Sequence, residues 1–183
     1  GKQNEVRKLI LTASGGPFRM TPAEDFGRIT PEEALNHPTW KMGRRITIDS
    51  ATLINKGFEV IEARWLFGIP ADAIEVIVHP QSVVHSMVEF VDGSIVAQIG
   101  TADMRVPIQY ALTYPDRLVS PVASLDWAAV KSLEFALPDR EKFPCIGMAY
   151  QAIEMGGTAP TVLNAADEIA VGESWASSVS TLG

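Results

Sequence analysis

Two runs of strand-forming residues joined by Asp92-Gly93 constrain the fold more than any other feature of the sequence. Val83–Val91 and Ser94–Ile99 are rich in β-branched and other apolar residues, and Asp-Gly is a two-residue turn that connects antiparallel strands. Lys8–Thr12 and Ile74–His79 are further short apolar runs of the kind that form buried strands. We therefore predict an α+β fold, with a mixed or antiparallel sheet and helices on one side.

Helix signals occupy four other segments. Thr30 is a good cap for a short helix that begins at Pro31 and ends near Asn36. Apolar periodicity predicts three more helices, at Pro107–Leu112, Ile146–Met155 and Thr161–Val171.

The segment around Ser50 is predicted to pass from a strand into a helix. Arg45–Asp49 alternates polar and apolar residues, as a half-buried strand does. Ser50 is predicted to cap a helix that continues to about Phe67. Its apolar face would consist of Leu53, Ile54, Phe58, Ile61, Trp65 and Leu66.

Composition excludes some classes of partner. The formal net charge of -7 argues against a general nucleic-acid binder, which needs clustered Lys and Arg. No apolar run approaches the ~20 residues that cross a bilayer, so we expect no membrane partner. The single cysteine, Cys145, excludes an internal disulfide and suits a reducing compartment.

The segment from Ser50 to Glu59 is the first candidate site. A helix N-terminus presents free N–H groups that suit an anion, and Ser50, Asn55 and Lys56 add a hydroxyl, an amide and a positive charge. Glu59 projects from the same side of the helix and offers the oxygen ligand that Mg²⁺ or Mn²⁺ prefers. A capped surface helix with a Lys–Glu pair explains the spacing equally well.

Four further features are weaker on their own. The turn Ser14–Gly16 follows a strand and could approach a phosphate, although a simple turn is the better explanation. His37 and Trp40 lie in a polar loop, where an indole could cover a ligand and a lone histidine is often incidental. His79 and His85 lack a third His or Cys, which favours structural hydrogen bonds over a metal site.

Taken together, these segments closely resemble the 1-deoxy-D-xylulose 5-phosphate reductoisomerase family from about Leu9 to Val171. The motifs that carry the resemblance are TASGGPFR (Thr12–Arg19), HPTWKMGRRITIDSATLINKGFEVIEARWLF (His37–Phe67), HPQSVVHSMVEFVDGSIVAQIG (His79–Gly100), ADMRVPI (Ala102–Ile108) and LNAADEIAV (Leu163–Val171).

The resemblance implies a role for each candidate residue. The positions that hold the substrate phosphate match Ser14, Ser50, Asn55 and Lys56. His37 matches a substrate-contacting, catalytic residue on a flexible loop, and Trp40 matches the indole that closes over the substrate. Gly43 matches a backbone position near NADPH. Glu59 matches a catalytic carboxylate that contacts substrate and binds the divalent metal.

The resemblance also implies an activity: NADPH-dependent conversion of 1-deoxy-D-xylulose 5-phosphate to 2-C-methyl-D-erythritol 4-phosphate in isoprenoid biosynthesis, with Mg²⁺ or Mn²⁺. It implies a homodimer in the bacterial cytoplasm, or in a plastid if the source is a plant. The family's Rossmann-type domain and two further acidic metal ligands precede the matched segment and are absent here. Both ends of the sequence look cut, so we expect a fragment that is inactive in isolation.

The same resemblance predicts the domain organisation. Residues 1–120 would form the catalytic domain with a lid loop at about 14–44, residues 121–144 a connector, and residues 145–183 the truncated start of a helical domain. Two other hypotheses remain open: a phosphate-binding or interaction module without catalysis, and another sugar-phosphate oxidoreductase.

Overall fold

A computed structural model describes residues 3–40 and 42–180. The outermost residues of the first and last predicted domains, at 1–2 and 181–183, lie outside the described residues, as does Lys41 of the predicted lid. In chain order the elements are β1 (Val6–Ala13), α1 (Pro31–Ala34), α2 (Arg44–Ala51), α3 (Ile54–Phe67), β2 (Ile74–Val78), β3 (Val84–Phe90), β4 (Ile95–Ile99), α4 (Arg105–Thr113), α5 (Cys145–Met155) and α6 (Ala159–Ser180).

The four strands form one mixed sheet in the order β2-β1-β3-β4. β1 pairs with β2 in parallel, with Leu9 opposite Ile74, and with β3 in antiparallel, with Leu9 opposite Val88. β3 and β4 form the predicted hairpin around Asp92-Gly93. The α+β prediction is therefore confirmed, and the crossover from β1 to β2 contains α1, α2 and α3.

The core lies between the sheet and α3, with α5 packed behind α3. Val60 of α3 and Ile146 of α5 are completely buried. The two helices approach closely at Gly57, where a Cβ would lie 2.9 Å from the Ala149 Cβ. Helix α5, which the sequence assigned to a separate helical domain, therefore shares this core with the sheet. The domain boundary at residue 144 stays a prediction.

Two predictions around Ser50 are wrong. Arg45–Asp49 is not a strand but most of α2, a helix that begins after Gly43. Ser50 does not cap the following helix, because it lies in the last turn of α2. A five-residue alternating run does not distinguish strand from helix, and Ile46 and Ile48 reach no β partner.

The buried face of α3 also differs from the predicted one. Its buried residues are Ile54, Gly57, Val60 and Ala63, whereas Trp65 is 69% exposed. The close approach of α3 to α5 at Gly57 leaves no room there for a larger side chain.

The predicted lid and connector contain more structure than their irregular sequences suggest. Within the lid, Thr30 and Glu33 form a reciprocal capping box at the start of α1, and Phe26 stacks edge-on against Phe143. The connector adds a β-bridge between Val78 and Ala136. The mobility of the lid stays a prediction.

Candidate functional site

The turn after β1 brings together two residues predicted from the sequence. Ser14 Oγ lies 3.0 Å from His37 Nε2, across 23 residues of chain. The other ring nitrogen of His37, Nδ1, accepts the backbone N–H groups of Thr39 at 3.1 Å and Trp40 at 2.9 Å. The loop is therefore folded around the imidazole, and the imidazole is fixed against the β1 turn.

This network determines what the Ser14 hydroxyl can do. Because His37 Nδ1 accepts two hydrogen bonds, the proton of the neutral ring is assigned to Nε2, which donates to Ser14 Oγ. Burial lowers the pKa of His37, which favours this neutral form. The Gly16 N–H also donates to Ser14 Oγ, at 3.3 Å. With its oxygen already accepting twice, Ser14 has a hydroxyl hydrogen to offer to an anion.

The β1 turn is also in direct contact with α2. Gly16 has a φ of +66°, and a Cβ at this position would lie only 2.7 Å from the Ser50 carbonyl oxygen. Real Cβ atoms do not approach so closely, so the close packing of the turn on Ser50 requires glycine. The structure thus brings Ser14 and Ser50 to adjacent segments, as a shared phosphate site would need.

A left-handed residue separates α2 from α3. Leu53 has a φ of 60° and is buried in the core, which holds it in this unfavourable conformation. Only Thr52 and Leu53 separate the two helices, which contact each other, so Ser50 at the end of α2 lies near Asn55 and Lys56 at the beginning of α3. Leu53 provides no side-chain cap, and the positive end of the α3 dipole lies at this first turn.

Asn55, Lys56 and Glu59 form one cluster on α3. Lys56 Nζ lies 2.6 Å from Glu59 Oε2, and Asn55 Nδ2 donates to Glu59 Oε1 at 3.1 Å. The Lys56 side chain is only 13% exposed, whereas Glu59 is more open. The arrangement therefore holds a cation and an amide ready beside a carboxylate that solvent can reach.

His85 lies on β3 and makes two contacts with neighbouring segments. Its backbone carbonyl accepts from Thr12 Oγ1 on β1 at 2.9 Å, and its Nε2 lies 3.2 Å from the Gly100 carbonyl oxygen. Burial lowers the pKa of His85, the backbone hydrogen bonds to Gly100 and Thr101 oppose this, and the charges of His79 and Lys56 add smaller effects. The contacts described for His85 are thus hydrogen bonds to the backbone and to β1, as its sequence context favoured.

His79 has a structural role, as its sequence context favoured. It is fully buried and stacks on Phe135 of the connector. Its Nε2 accepts the Val83 N–H at 3.1 Å, so its Nδ1 donates to the Glu134 carbonyl oxygen at 2.9 Å. These bonds fasten the connector to the end of β2.

Two carboxylates near the site were missed in the sequence. Glu62 lies one turn beyond Glu59, and burial followed by the charge of Glu59 raises its pKa. Its position three residues after Glu59 indicates that it lies on the same side of α3, which the sequence alone could have shown. Asp49 precedes Ser50 and is almost completely buried, with an Oδ1 that has no hydrogen-bond partner within the described residues. Its burial is a tertiary feature that the local sequence does not reveal.

The remaining predicted residues lie at the entrance to α2. Gly43 is the N-terminal cap residue of α2, and a Cβ there would meet nothing within 4 Å, so its backbone is open to a ligand. Trp40 is half-buried and reaches His37 through its backbone N–H. The roles of all these residues stay predictions.

The part of the chain that the structure describes contains neither a cluster of metal ligands nor a membrane-spanning helix. No group of three or more His, Cys, Asp or Glu side chains in 3–40 and 42–180 is arranged to hold a metal ion. Among the helices described, none has the length and apolar character to cross a membrane.

Comparison with known proteins identifies the family. Residues 1–67 match the model of the 1-deoxy-D-xylulose 5-phosphate reductoisomerase C-terminal domain, and residues 99–180 match that of the DXP reductoisomerase C-terminal domain. The 1-deoxy-D-xylulose 5-phosphate reductoisomerase of Solibacter usitatus is 61% identical over 171 residues, covering 93% of this chain and 43% of that protein. The enzyme of Thermoanaerobacter pseudethanolicus is 62% identical over 170 residues, covering 92% of this chain and 44% of that protein.

Solved structures agree with this result. The 1-deoxy-D-xylulose 5-phosphate reductoisomerase from Zymomonas mobilis in complex with NADPH superposes with a TM-score of 0.88 at 50% identity, over 94% of this chain and 44% of that one. A DOX-P reductoisomerase in complex with NADPH, fosmidomycin and magnesium gives a TM-score of 0.91 at 48% identity, over 94% of this chain and 42% of that one. This chain spans less than half the length of these relatives, and it belongs to the 1-deoxy-D-xylulose 5-phosphate reductoisomerase family.

Proposed function

We propose that this chain is the substrate-binding part of an NADPH-dependent reductoisomerase that converts 1-deoxy-D-xylulose 5-phosphate to 2-C-methyl-D-erythritol 4-phosphate. Family membership supports the reaction class. The proposal extends to the family's place in isoprenoid biosynthesis, to a homodimer, and to a bacterial cytoplasmic location, which the bacterial relatives support.

The observation that carries the proposal is the placement of candidate phosphate donors on adjoining segments: the β1 turn packs on the end of α2, and α2 contacts α3. Ser14 has a hydroxyl hydrogen to donate, and the turn that carries it packs on Ser50. Asn55 and Lys56 add an amide and a cation at the N-terminal turn of α3, where the helix dipole also favours an anion. These donors would bind the phosphate group of the substrate, which is remote from the reacting carbons. The binding energy gained there can be used to orient those carbons.

Lys56 would exchange partners when the phosphate binds. In the structure its ammonium group lies against Glu59. A dianionic phosphate at the start of α3 would attract Lys56 more strongly than one carboxylate does, because charge-assisted bonds strengthen with charge. Glu59 would then be free for a substrate hydroxyl or a cation, and His37 and Trp40 would bring the loop over the bound substrate.

Glu59 fits a hard divalent cation as one oxygen ligand of several, since it is partly exposed and carries no other bond than those to Asn55 and Lys56 among the contacts described. When bound, Mg²⁺ or Mn²⁺ supplies Lewis-acid polarisation of the substrate oxygens, and NADPH supplies the hydride. The open backbone at Gly43 fits the approach of a cofactor. We propose that the isolated chain, with only Glu59 assigned as a ligand, does not turn over.

The test is NADPH consumption by the full-length protein with 1-deoxy-D-xylulose 5-phosphate and Mg²⁺ or Mn²⁺. We expect turnover that Glu59→Gln lowers by at least ~100-fold and that Lys56→Met weakens mainly through the KM for the sugar phosphate. Glu154→Gln, a change at an exposed residue of α5, serves as the control. Unchanged turnover in Glu59→Gln would refute the assignment of the site.

The isolated chain provides a second test. Calorimetry with the sugar phosphate and Mn²⁺ distinguishes a catalytic fragment from a self-sufficient binding module. Tight, metal-dependent binding to the isolated chain would contradict our expectation that its metal site is incomplete.

A further inference from the structure

We propose that Arg45 is a positioning residue for the phosphate site, because it ties α2, and with it Ser50, to α6. The inference rests on the proposed function, since it assigns Arg45 a role only if Ser50 and its neighbours bind phosphate. It gives the C-terminal helix α6 a part in substrate binding that its distance along the sequence does not suggest.

The Arg45 guanidinium contacts oxygen atoms from two helices. On α6, Nη2 donates to Asn164 Oδ1 and to Asp167 Oδ2, each at 3.3 Å, and Nη1 lies 3.6 Å from Glu168 Oε2. On α2 itself, Nε lies 3.9 Å from Asp49 Oδ2. A planar cation with several fixed donors can satisfy such a divergent set, whereas a lysine ammonium cannot.

The charges around Arg45 make it more than a surface ion pair. The Asp49 side chain is 8% exposed and that of Asp167 is 12% exposed, so water screens their mutual repulsion weakly. Arg45 is the cation that lies between them. Without it, two buried carboxylates on α2 and α6 would face each other, and at a pH where both are ionised their repulsion would push α2 away from α6.

Movement of α2 would reach the phosphate site directly. Asp49 and Ser50 are consecutive residues of α2, and the Ser50 carbonyl oxygen packs against Gly16 of the β1 turn. Closely packed contacts of this kind leave few voids and transmit strain. A displaced α2 would therefore separate Ser50 from Ser14 and weaken the grip on the phosphate.

The test measures binding of inorganic phosphate, and the KM and kcat for the sugar phosphate, in the full-length enzyme. We expect Arg45→Met to raise the phosphate Kd and the sugar-phosphate KM by ~3- to 10-fold, in the range of ordinary couplings between neighbouring groups. Arg7→Met, which removes an exposed arginine paired with Glu89, is the matched control and should change neither. Arg45→Lys should give an intermediate effect, and it replaces Arg45→Met if that variant does not fold.

A double variant separates positioning from general loss of structure. Because the proposed cause is repulsion between Asp49 and Asp167, Arg45→Met combined with Asp49→Asn should recover phosphate affinity to within ~2-fold of the parent. Failure of this rescue would overturn the proposal. Unchanged affinity in Arg45→Met alongside a loss in Lys56→Met would overturn it while leaving the proposed function intact. Unchanged affinity in Lys56→Met would instead refute the phosphate site, and the role of Arg45 with it.

Discussion

Replacing Asp49 by Asn should stabilise the folded chain at neutral pH, although it removes a charged group beside Arg45. Burial, followed by the charge of Asp167, raises the pKa of Asp49 from 3.8 to about 6, and Arg45 opposes the change only in part. A carboxyl whose pKa is higher in the folded state holds its proton more tightly there. Stability should therefore fall as pH rises from about 4 to about 6, and the loss should persist at higher pH.

The magnitude follows from the same two values. A rise from 3.8 to about 6 corresponds to at most about 3 kcal/mol. Arg45 is 41% exposed, so water shares in screening the cluster, and we expect ~1–2 kcal/mol. In a chain of this size that is a rise in Tm of roughly 2–8 °C for Asp49→Asn at pH 7.5, because the neutral amide avoids the cost of ionisation.

The assay is thermal unfolding of the parent and Asp49→Asn at pH 7.5 and pH 4.5. The difference in Tm between the two proteins should be largest at pH 7.5 and should shrink at pH 4.5, where Asp49 is mostly protonated in the folded state. Asp72→Asn, an exposed aspartate in the turn before β2, is the control and should show no such dependence. A lower Tm for Asp49→Asn at pH 7.5, or an equal difference at both pH values, would refute the reasoning.

Three further substitutions test the packing that builds the site. Gly57→Ala should lower the free energy of unfolding by ~0.5–2 kcal/mol in urea titrations, because the cost of the clash between the new Cβ and that of Ala149 should exceed the ~1 kcal/mol gain in helix propensity. Adding Ala149→Gly should restore most of the lost stability. A gain in stability from Gly57→Ala alone would contradict the close approach of α3 and α5. Gly16→Ala should lower the free energy of unfolding by ~1–3 kcal/mol and abolish phosphate binding in calorimetry, since it strains a positive φ and presses on the Ser50 carbonyl; normal binding would show that the turn has room to adjust. Thr30→Ala should cost ~1 kcal/mol in the same urea titrations by removing the α1 cap, whereas Thr30→Ser should cost little, and equal losses for both would argue against the cap.

The sequence predicts local features of this fold well. The hairpin around Asp92-Gly93, strand β1 and the cap at Thr30 all depend on neighbours in the sequence, and the structure confirms them. The prediction for the segment from Arg45 to Ser50 fails because a five-residue alternating run fits a strand and a helix equally well, and because its packing against α3 is not visible in the local sequence. No local pattern predicts the left-handed Leu53, since leucine seldom adopts a positive φ and is held there by the core.

The candidate site likewise combines features that the local sequence predicts with features that depend on distant residues. Lys56 and Glu59 lie three residues apart on one helix, so their pairing was predictable from spacing. The bond between Ser14 and His37 joins two loops and was not. The resemblance to a known family named both residues without showing that they touch. Asp49 went unnoticed because its burial and the nearby charge of Asp167, more than a hundred residues further along the chain, are features of the tertiary structure.

The crossover between β1 and β2 also sets the order in which the molecule can assemble. The hairpin of β3 and β4 closes a short turn, with four residues between the strands, and can form within microseconds. The pairs Leu9–Ile74 and Leu9–Val88 must instead close long loops, and the entropy lost in closing them opposes folding until the strands pair. Ser14, His37, Ser50 and Lys56 all lie within the loop that the first of these pairs closes. We therefore expect the anion site to form late in folding, after β1 has docked between β2 and the hairpin, so that partly folded chains would not bind phosphate.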